Sequence, residues 1–294
     1  MTLVIGNKQV SRVGYGMGSL TRKAETQEGF DSGVELLRHA LGRGVTFYDT
    51  AQFYGNGRAN ELLRAAFADR REDVCLASKV GARPLVGGPV PMTAAQRPAE
   101  LRQAVEENLE AFGTDYLDLV YMRRMDMLPG LVIDDPEQTV ALEEQLEALA
   151  AMREEGLIKA IGLSHVDSAQ LATALPYGIA AISNIYNLLD RKWEDMFAVA
   201  EEHGIAWSPY FPLGGGGFAG LPKVTELPGV VELAGELGAT PNQVGLAWLL
   251  AHSSQSLAIA GTSSIGHLDE NIDAGALELS AGQIAALEEA AAAA

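Results

Sequence analysis

LRQAVEENLEAFGTDYLDLVYMRRMD, residues 101–126, contains one structural unit of the chain and the clue to its architecture. Leu101, Val105, Leu109 and Phe112 recur at three- and four-residue intervals, the period of a helix that lays one face on an apolar layer. The run gives way to LDLVYM (117–122), a short apolar segment that reads as a buried strand. That strand ends on Arg123 and Arg124, with Asp126 just beyond. An arginine stays charged and is costly to desolvate, so Arg123 must reach water, find a carboxylate, or face a ligand that favours positive charge.

Outward from this unit the same alternation continues in both directions. Val34, Leu37 and Leu41 mark a helix that Gly42 and Gly44 stop before VTFYDT (45–50), and a helix through Leu63 and Phe67 leads to VCLASK (74–79). Leu142, Leu146 and Leu149 carry a helix ended by Gly156 before AIGLS (160–164). Asp167 or Ser168 caps a short helix before IAAISNIYN (179–187), and Trp193, Phe197 and Ala200 mark another before IAWSPYF (205–211). Thr240 followed by Pro241 is an N-cap with a first-turn proline, opening the helix that leads to LAIAGTSS (257–264). With VGYGMG (13–18) as the first, the count is about eight strands, which predicts an α/β fold, a (β/α)8 TIM barrel. LVIGNKQVSRV resembles a β-hairpin turned at Gly6 and Asn7 and placed across the barrel floor. No linker-like break divides the chain, so residues 1–294 read as one domain. Residues 80–98 and 212–228 read as irregular loops on the active face, and the alanine-rich end is expected to fray.

The composition narrows the partners. A formal net charge of −18 repels phosphate backbones and anionic lipid, which excludes nucleic acid and membrane surfaces as expected partners. No apolar run approaches the ~18 residues of a membrane span. Cys75 is the only cysteine and no secretory signal is legible at the N-terminus, so the expected location is cytoplasmic. No His or Cys pair has metal-ligand spacing, and His39, His203 and His252 read as structural.

The predicted strand ends collect Asp49, Lys79, Arg123, Ser164 with His165, Ser183 with Asn184, Tyr210, and Thr262 with Ser263. In a barrel these converge on one mouth. VTFYDTAQFYGNGRANELL (45–63), ASKVG (77–81), GLIKAIGLSH (156–165), SNIYN (183–187), PYFPLGGG (209–216), and AWLL followed by IAGTSSIGHLDEN (259–271) then appear in an order that resembles the aldo-keto reductase superfamily. The similarity is greatest to its bacterial pyridoxal reductase-like branch. That resemblance implies a reductase transferring hydride from NAD(P)H to an aldehyde or ketone, with Asp49, Tyr54 and Lys79 in the catalytic positions. A carbonyl that gains a hydride on carbon must gain a proton on oxygen, and Tyr54 is the implied acid. An adjacent cation, Lys79, eases that proton's release, and Asp49 holds the cation in a desolvated pocket.

The stretch RRMD departs from most of the superfamily, placing Arg123 where a histidine usually stands. An arginine donates hydrogen bonds with permanent charge but cannot shuttle protons, so Arg123 reads as a donor to the carbonyl oxygen. The alternative is an ion pair between Arg123 and Asp126 or another carboxylate at the rim.

For the cofactor, the resemblance implies Ser164, His165, Ser183 and Asn184 near the nicotinamide carboxamide, and Tyr210 stacked on the ring in preference to Trp207. Leu213, Gly214 and Gly215, with the rest of the glycine run to Gly217, would bring bare N–H groups to the pyrophosphate. Thr262, Ser263 and Ser264 open a helix and, with His267, would hold a 2′-phosphate, while Glu270 and Asn271 lie near the adenine. The expected cofactor is therefore NADPH, with NADH as the alternative, and the expected partner is a small-molecule carbonyl substrate. Two further readings remain open: a cofactor-binding regulatory module with little turnover, and a reductase of C=N or activated C=C bonds.

Overall fold

The computed structural model describes residues 2–88, 90–128, 135–215 and 220–294. It opens with the expected hairpin, β1 (Thr2–Ile5) and β2 (Lys8–Ser11), antiparallel with Ile5 opposite Lys8 and Gly6 at φ 61° in the turn. Leu3, Ile5 and Val10 pack against Phe47, Cys75 and Leu119, which line the barrel's interior, so the hairpin closes its floor. Lys8 fastens it further, 3.0 Å from Asp118.

Among the described residues eight parallel strands follow: β3 (Val13–Gly16), β4 (Phe47–Asp49), β5 (Cys75–Pro84), then, past the short antiparallel β6 (Met92–Ala95), β7 (Leu117–Arg123), β8 (Ile158–Ser164), β9 (Ile179–Ser183), β10 (Ala206–Trp207) and β11 (Ala258–Ile259). Neighbours pair in chain order, and β11 returns to pair with β3. The circle closes at Trp207, whose N–H donates to Gln255 O and whose carbonyl accepts from Leu257 N, each at 2.8 Å. The (β/α)8 barrel with an N-terminal hairpin is therefore the observed architecture.

Helices α1 (Gln27–Gly42), α2 (Arg58–Phe67), α3 (Pro98–Phe112), α4 (Leu142–Glu154), α5 (Ser168–Ala174), α6 (Glu194–Glu202), α7 (Pro228–Leu237), α8 (Pro241–His252), α9 (Ile265–Asp273) and α10 (Ala281–Ala292) surround the strands. Asp167, rather than Ser168, caps α5 by accepting from Gln170 N at 2.8 Å, and Thr240 caps α8 as its sequence predicts. The expected helix faces, including Leu37, Leu101, Leu146 and Phe197, are buried in one cluster with the outward sides of the strands.

Two expectations need correction, and one helix was missed. Residues 80–98 are not a plain loop, because β5 runs on to Pro84 and β6 folds back on it, with Gly81 opposite Ala95. Gly81 is required there: it has φ 93°, and a Cβ would lie 2.4 Å from Arg123 O. The helix α7 was not legible, since the glycines inside PGVVELAGEL dilute its period. The alanine-rich end, expected to fray, is packed as a helix. Ser280 caps α10, Leu287 is buried, and Glu288 bonds Arg191 at 3.0 Å and the Trp248 indole at 3.2 Å. No described helix is long and apolar enough to cross a membrane.

Candidate active site

Strand parity decides which side chains reach the barrel interior. Phe47, Ala77, Tyr121 and Ala181 point inward, so side chains two residues further along each strand share that side and lie nearer the carboxyl mouth. Those residues are Asp49, Lys79, Arg123 and Ser183, and Ser164 joins them because it stands opposite both Arg123 and Ser183 in the register.

Lys79 and Asp49 meet as expected. Their Nζ and Oδ1 atoms are 2.6 Å apart, and the ammonium also donates to Thr50 O at 3.1 Å and to the Tyr54 hydroxyl at 3.4 Å. Burial opposes the Lys79 charge, but Asp49 and Tyr54 outweigh it and hold the group above its ordinary value. Burial holds the Asp49 carboxyl above its ordinary value, and Lys79 opposes that rise only in part. Tyr54 reaches the pair from the loop after β4, its ring edge-on to Phe53 with centroids 5.1 Å apart. Thr50 went unnoticed in the sequence. Its hydroxyl donates to Asn60, which donates to Asn108, each at 3.0 Å, so a buried polar chain ties the end of β4 to α2 and α3.

The two arginines separate. Arg124 has the outward parity and pairs with Asp126, while also donating to Val140 O, just before α4, and to Gln145 within it. The rim pairing of Arg123 with Asp126 is therefore overturned. Among the described residues no carboxylate pairs with Arg123, and its Nε is buried without a hydrogen-bond partner. Its guanidinium lies 5.9 Å from the Tyr210 ring centre. Gln96 fixes the backbone beneath it, donating to Arg123 O at 2.9 Å, and no sequence pattern singled that glutamine out.

The residues expected around the nicotinamide divide into two groups. The Ser164 and Ser183 hydroxyls are buried and lack partners among the described residues, which leaves both free for a ligand amide. Asn184 does not join them. Its amide faces outward, donating to Val166 O at 2.7 Å and accepting from Val166 N at 3.0 Å, so both ends are committed to the backbone. His165 is likewise engaged: at φ 61° it turns aside, with Nε2 2.8 Å from Met127 O and Nδ1 2.8 Å from the Tyr210 hydroxyl. Burial, and then the charge of Arg123, lower its basicity. A neutral ring donating from Nε2 and accepting from Tyr210 satisfies both contacts. Trp207 is packed against Phe197 outside the barrel, whereas Tyr210 stands at the mouth.

The remaining cofactor expectations fare unevenly. The N–H groups of Gly214 and Gly215 are not bare; they donate to Phe211 O at 2.9 Å and Pro222 O at 3.2 Å. Glycine is needed at 214 because its φ is 70° and a Cβ would lie 2.0 Å from Pro222 O. Leu213 packs against the outer core, and Gly216 and Gly217 lie outside the described residues. Ser264 caps α9, the Thr262 hydroxyl accepts from Ser264 N at 3.2 Å, and His267 is exposed one turn on. Ser263 lines a cleft of about 350 Å³ with Lys23 and Thr26, which supplies a cation that the sequence reading had not placed there. Glu270 is half-buried, and the Asn271 Oδ1 is buried without a partner among the described residues. Among the described residues no three metal-capable side chains converge.

Comparison with known proteins agrees with this arrangement. The profile of the Aldo/keto reductase family matches residues 12–292. Pyridoxine 4-dehydrogenase of Escherichia coli is 40% identical over 282 residues, covering 95% of this chain and 94% of its own. An aldo/keto reductase from Klebsiella pneumoniae, solved in complex with NADP and acetate, superposes with a TM-score of 0.79 at 26% identity, covering 98% of this chain and 94% of its own. An aldo-keto reductase from Klebsiella pneumoniae solved in complex with NADPH gives 0.80 at the same identity and coverage. A closed eight-stranded barrel, an Asp–Lys–Tyr cluster at its mouth and a profile match over nearly the whole chain make this protein a member of the aldo/keto reductase family of oxidoreductases.

Proposed function

We propose that the protein reduces aldehydes, pyridoxal-like heteroaromatic aldehydes first among them, with NADPH as the cofactor and Tyr54 as the general acid. The observation that carries this reading is the Lys79 ammonium, which bonds Asp49 at 2.6 Å and the Tyr54 hydroxyl at 3.4 Å. Support for the cofactor comes from Ser164 and Ser183, unpartnered among the described residues, whose hydroxyls suit an amide, and from Lys23, a cation that suits a phosphate and lines one cleft with Ser263 and Glu28. The Klebsiella relatives hold NADP and NADPH, and the E. coli relative is named for pyridoxine.

Bound NADPH supplies the hydride. Tyr54 gives its hydroxyl proton to the carbonyl oxygen, and Lys79 stabilises the negative charge left on the tyrosine. Asp49 keeps the ammonium in place within a buried site. Arg123 donates to the carbonyl oxygen, and Tyr210 offers its ring face to the nicotinamide. Single-turnover mixing of the protein and NADPH with an aldehyde panel tests the reading: bound cofactor should be oxidised and an alcohol formed. Tight NADPH binding without oxidation by any aldehyde would point instead to a regulatory module, and a reduced imine or alkene as the sole product would point to C=N or C=C reduction.

A further inference from the structure

The charges at the mouth do not balance. Asp49 neutralises Lys79 and Asp126 neutralises Arg124, while His165 lies between Tyr210 and a backbone carbonyl. Arg123 remains, half-buried, with an orphaned Nε and no carboxylate partner among the described residues. A half-buried cation without a counter-charge favours an anionic ligand atom. The Tyr210 ring lies 5.9 Å from the guanidinium, and Tyr54 packs against an apolar cluster that holds Phe53 and Met125.

We propose that Arg123 selects aromatic aldehydes with an ionisable hydroxyl on the ring carbon next to the one bearing the carbonyl, gripping the carbonyl oxygen and the ionised hydroxyl together. This inference rests on the proposed reductase reading of the same site. The guanidinium presents parallel N–H groups in a rigid fork, and an ortho-hydroxy aldehyde presents two oxygens along one edge in matching spacing. A meta-hydroxyl of the same acidity cannot offer both oxygens at once. The contact also serves the chemistry. An ionised ring oxygen pushes electron density onto the carbonyl and resists hydride, and a cation on that oxygen counters the effect. The carbonyl carbon gains the hydride and its oxygen gains the Tyr54 proton, while the ring oxygen keeps its charge against Arg123 throughout.

Two measurements test the proposal. In the first, kcat/KM for ortho- and meta-hydroxybenzaldehyde is compared in the wild type, Arg123→Lys and Arg123→Met. The wild type should prefer the ortho isomer by at least about tenfold, the loss expected when one hydrogen bond to a charged group is not made. Both variants should lose most of that preference, because lysine keeps the charge but not the fork. An equal loss for the two isomers would confine Arg123 to the carbonyl oxygen and overturn the proposal. The second measurement needs neither cofactor nor turnover: the ring hydroxyl of ortho-hydroxyacetophenone is titrated by its absorbance in the presence of the protein. Binding should lower its ionisation midpoint by about one pH unit, equivalent to tenfold, in the wild type but not in Arg123→Met. An unshifted midpoint at saturating protein would overturn the proposal. An Arg123-dependent shift without any aldehyde reduction would leave recognition standing and remove the reductase reading.

Discussion

The Lys79 ammonium lies 2.6 Å from the Asp49 carboxylate with both side chains about 3% exposed, so each charge depends on the other to remain buried. Removing one partner of such a pair typically costs about 3–5 kcal/mol, because the survivor is stranded without water. Lys79→Met should therefore lose stability on that scale as well as turnover, measured by denaturant unfolding and by NADPH oxidation. Adding Asp49→Asn should recover much of the stability and none of the rate. A Lys79→Met protein as stable as the wild type would refute the pair's structural share.

Tyr54→Phe keeps the ring against Phe53 and removes only the hydroxyl that Lys79 approaches. The variant should lose at least ~100-fold in kcat, the scale of a positioned acid, with cofactor affinity nearly unchanged. Near-normal turnover would take the acid role away from this residue.

Phosphate recognition separates into two candidates, Lys23 in the cleft with Ser263 and His267 on the first turns of α9. Lys23→Ala and His267→Ala should each weaken NADPH more than NADH, and the cation should matter more, by several-fold, because it carries full charge. Titration of both cofactors by protein fluorescence reads this directly. Parallel losses for the two cofactors would place the 2′-phosphate elsewhere.

His165 gives the fold a pH dependence of predictable sign. Burial and Arg123 hold its proton affinity below the ordinary value of 6.5, so the unfolded chain takes up that proton first as pH falls. Its contribution is complete above about pH 6.5 and is lost progressively below it, until the folded protein also protonates. The melting temperature of the wild type should fall more steeply between about pH 7 and pH 5 than that of His165→Asn, which carries no titrating ring. Identical slopes would show that His165 is not held neutral.

Leu287 tests the docked C-terminal helix. It is 2% exposed, and truncating a buried leucine costs about 2–5 kcal/mol, whereas on a frayed tail it would cost almost nothing. Leu287→Ala should lower the unfolding midpoint without affecting NADPH binding.

Local periodicity carried most of the architecture. Leu101, Val105, Leu109 and Phe112 followed by LDLVYM could form only a helix laid on a buried strand, and eight such strands leave few closed arrangements. Asp49, Lys79 and Arg123 were placed from strand ends and family resemblance, and their shared inward parity was already implicit in the two-residue period of a strand. The same parity, if applied, would have turned Asn184 and Arg124 away from the site.

Other features depended on contacts that no local pattern encodes. That His165 is occupied by Met127 and Tyr210, that Gly214 and Gly215 bond within their own loop, and that β6 folds back on β5 all involve residues separated along the chain. An alanine-rich helix has no strong apolar face, so only Arg191 and Trp248, brought together by the closed barrel, could show that Glu288 anchors it. The sequence by itself determined the barrel strands, most of the helices and the chemical groups at the mouth, because those follow from backbone periods and residue type. The tertiary structure alone decided which of those groups are already satisfied and which remain open to a ligand, because a hydrogen bond once made to the protein is no longer available to anything else.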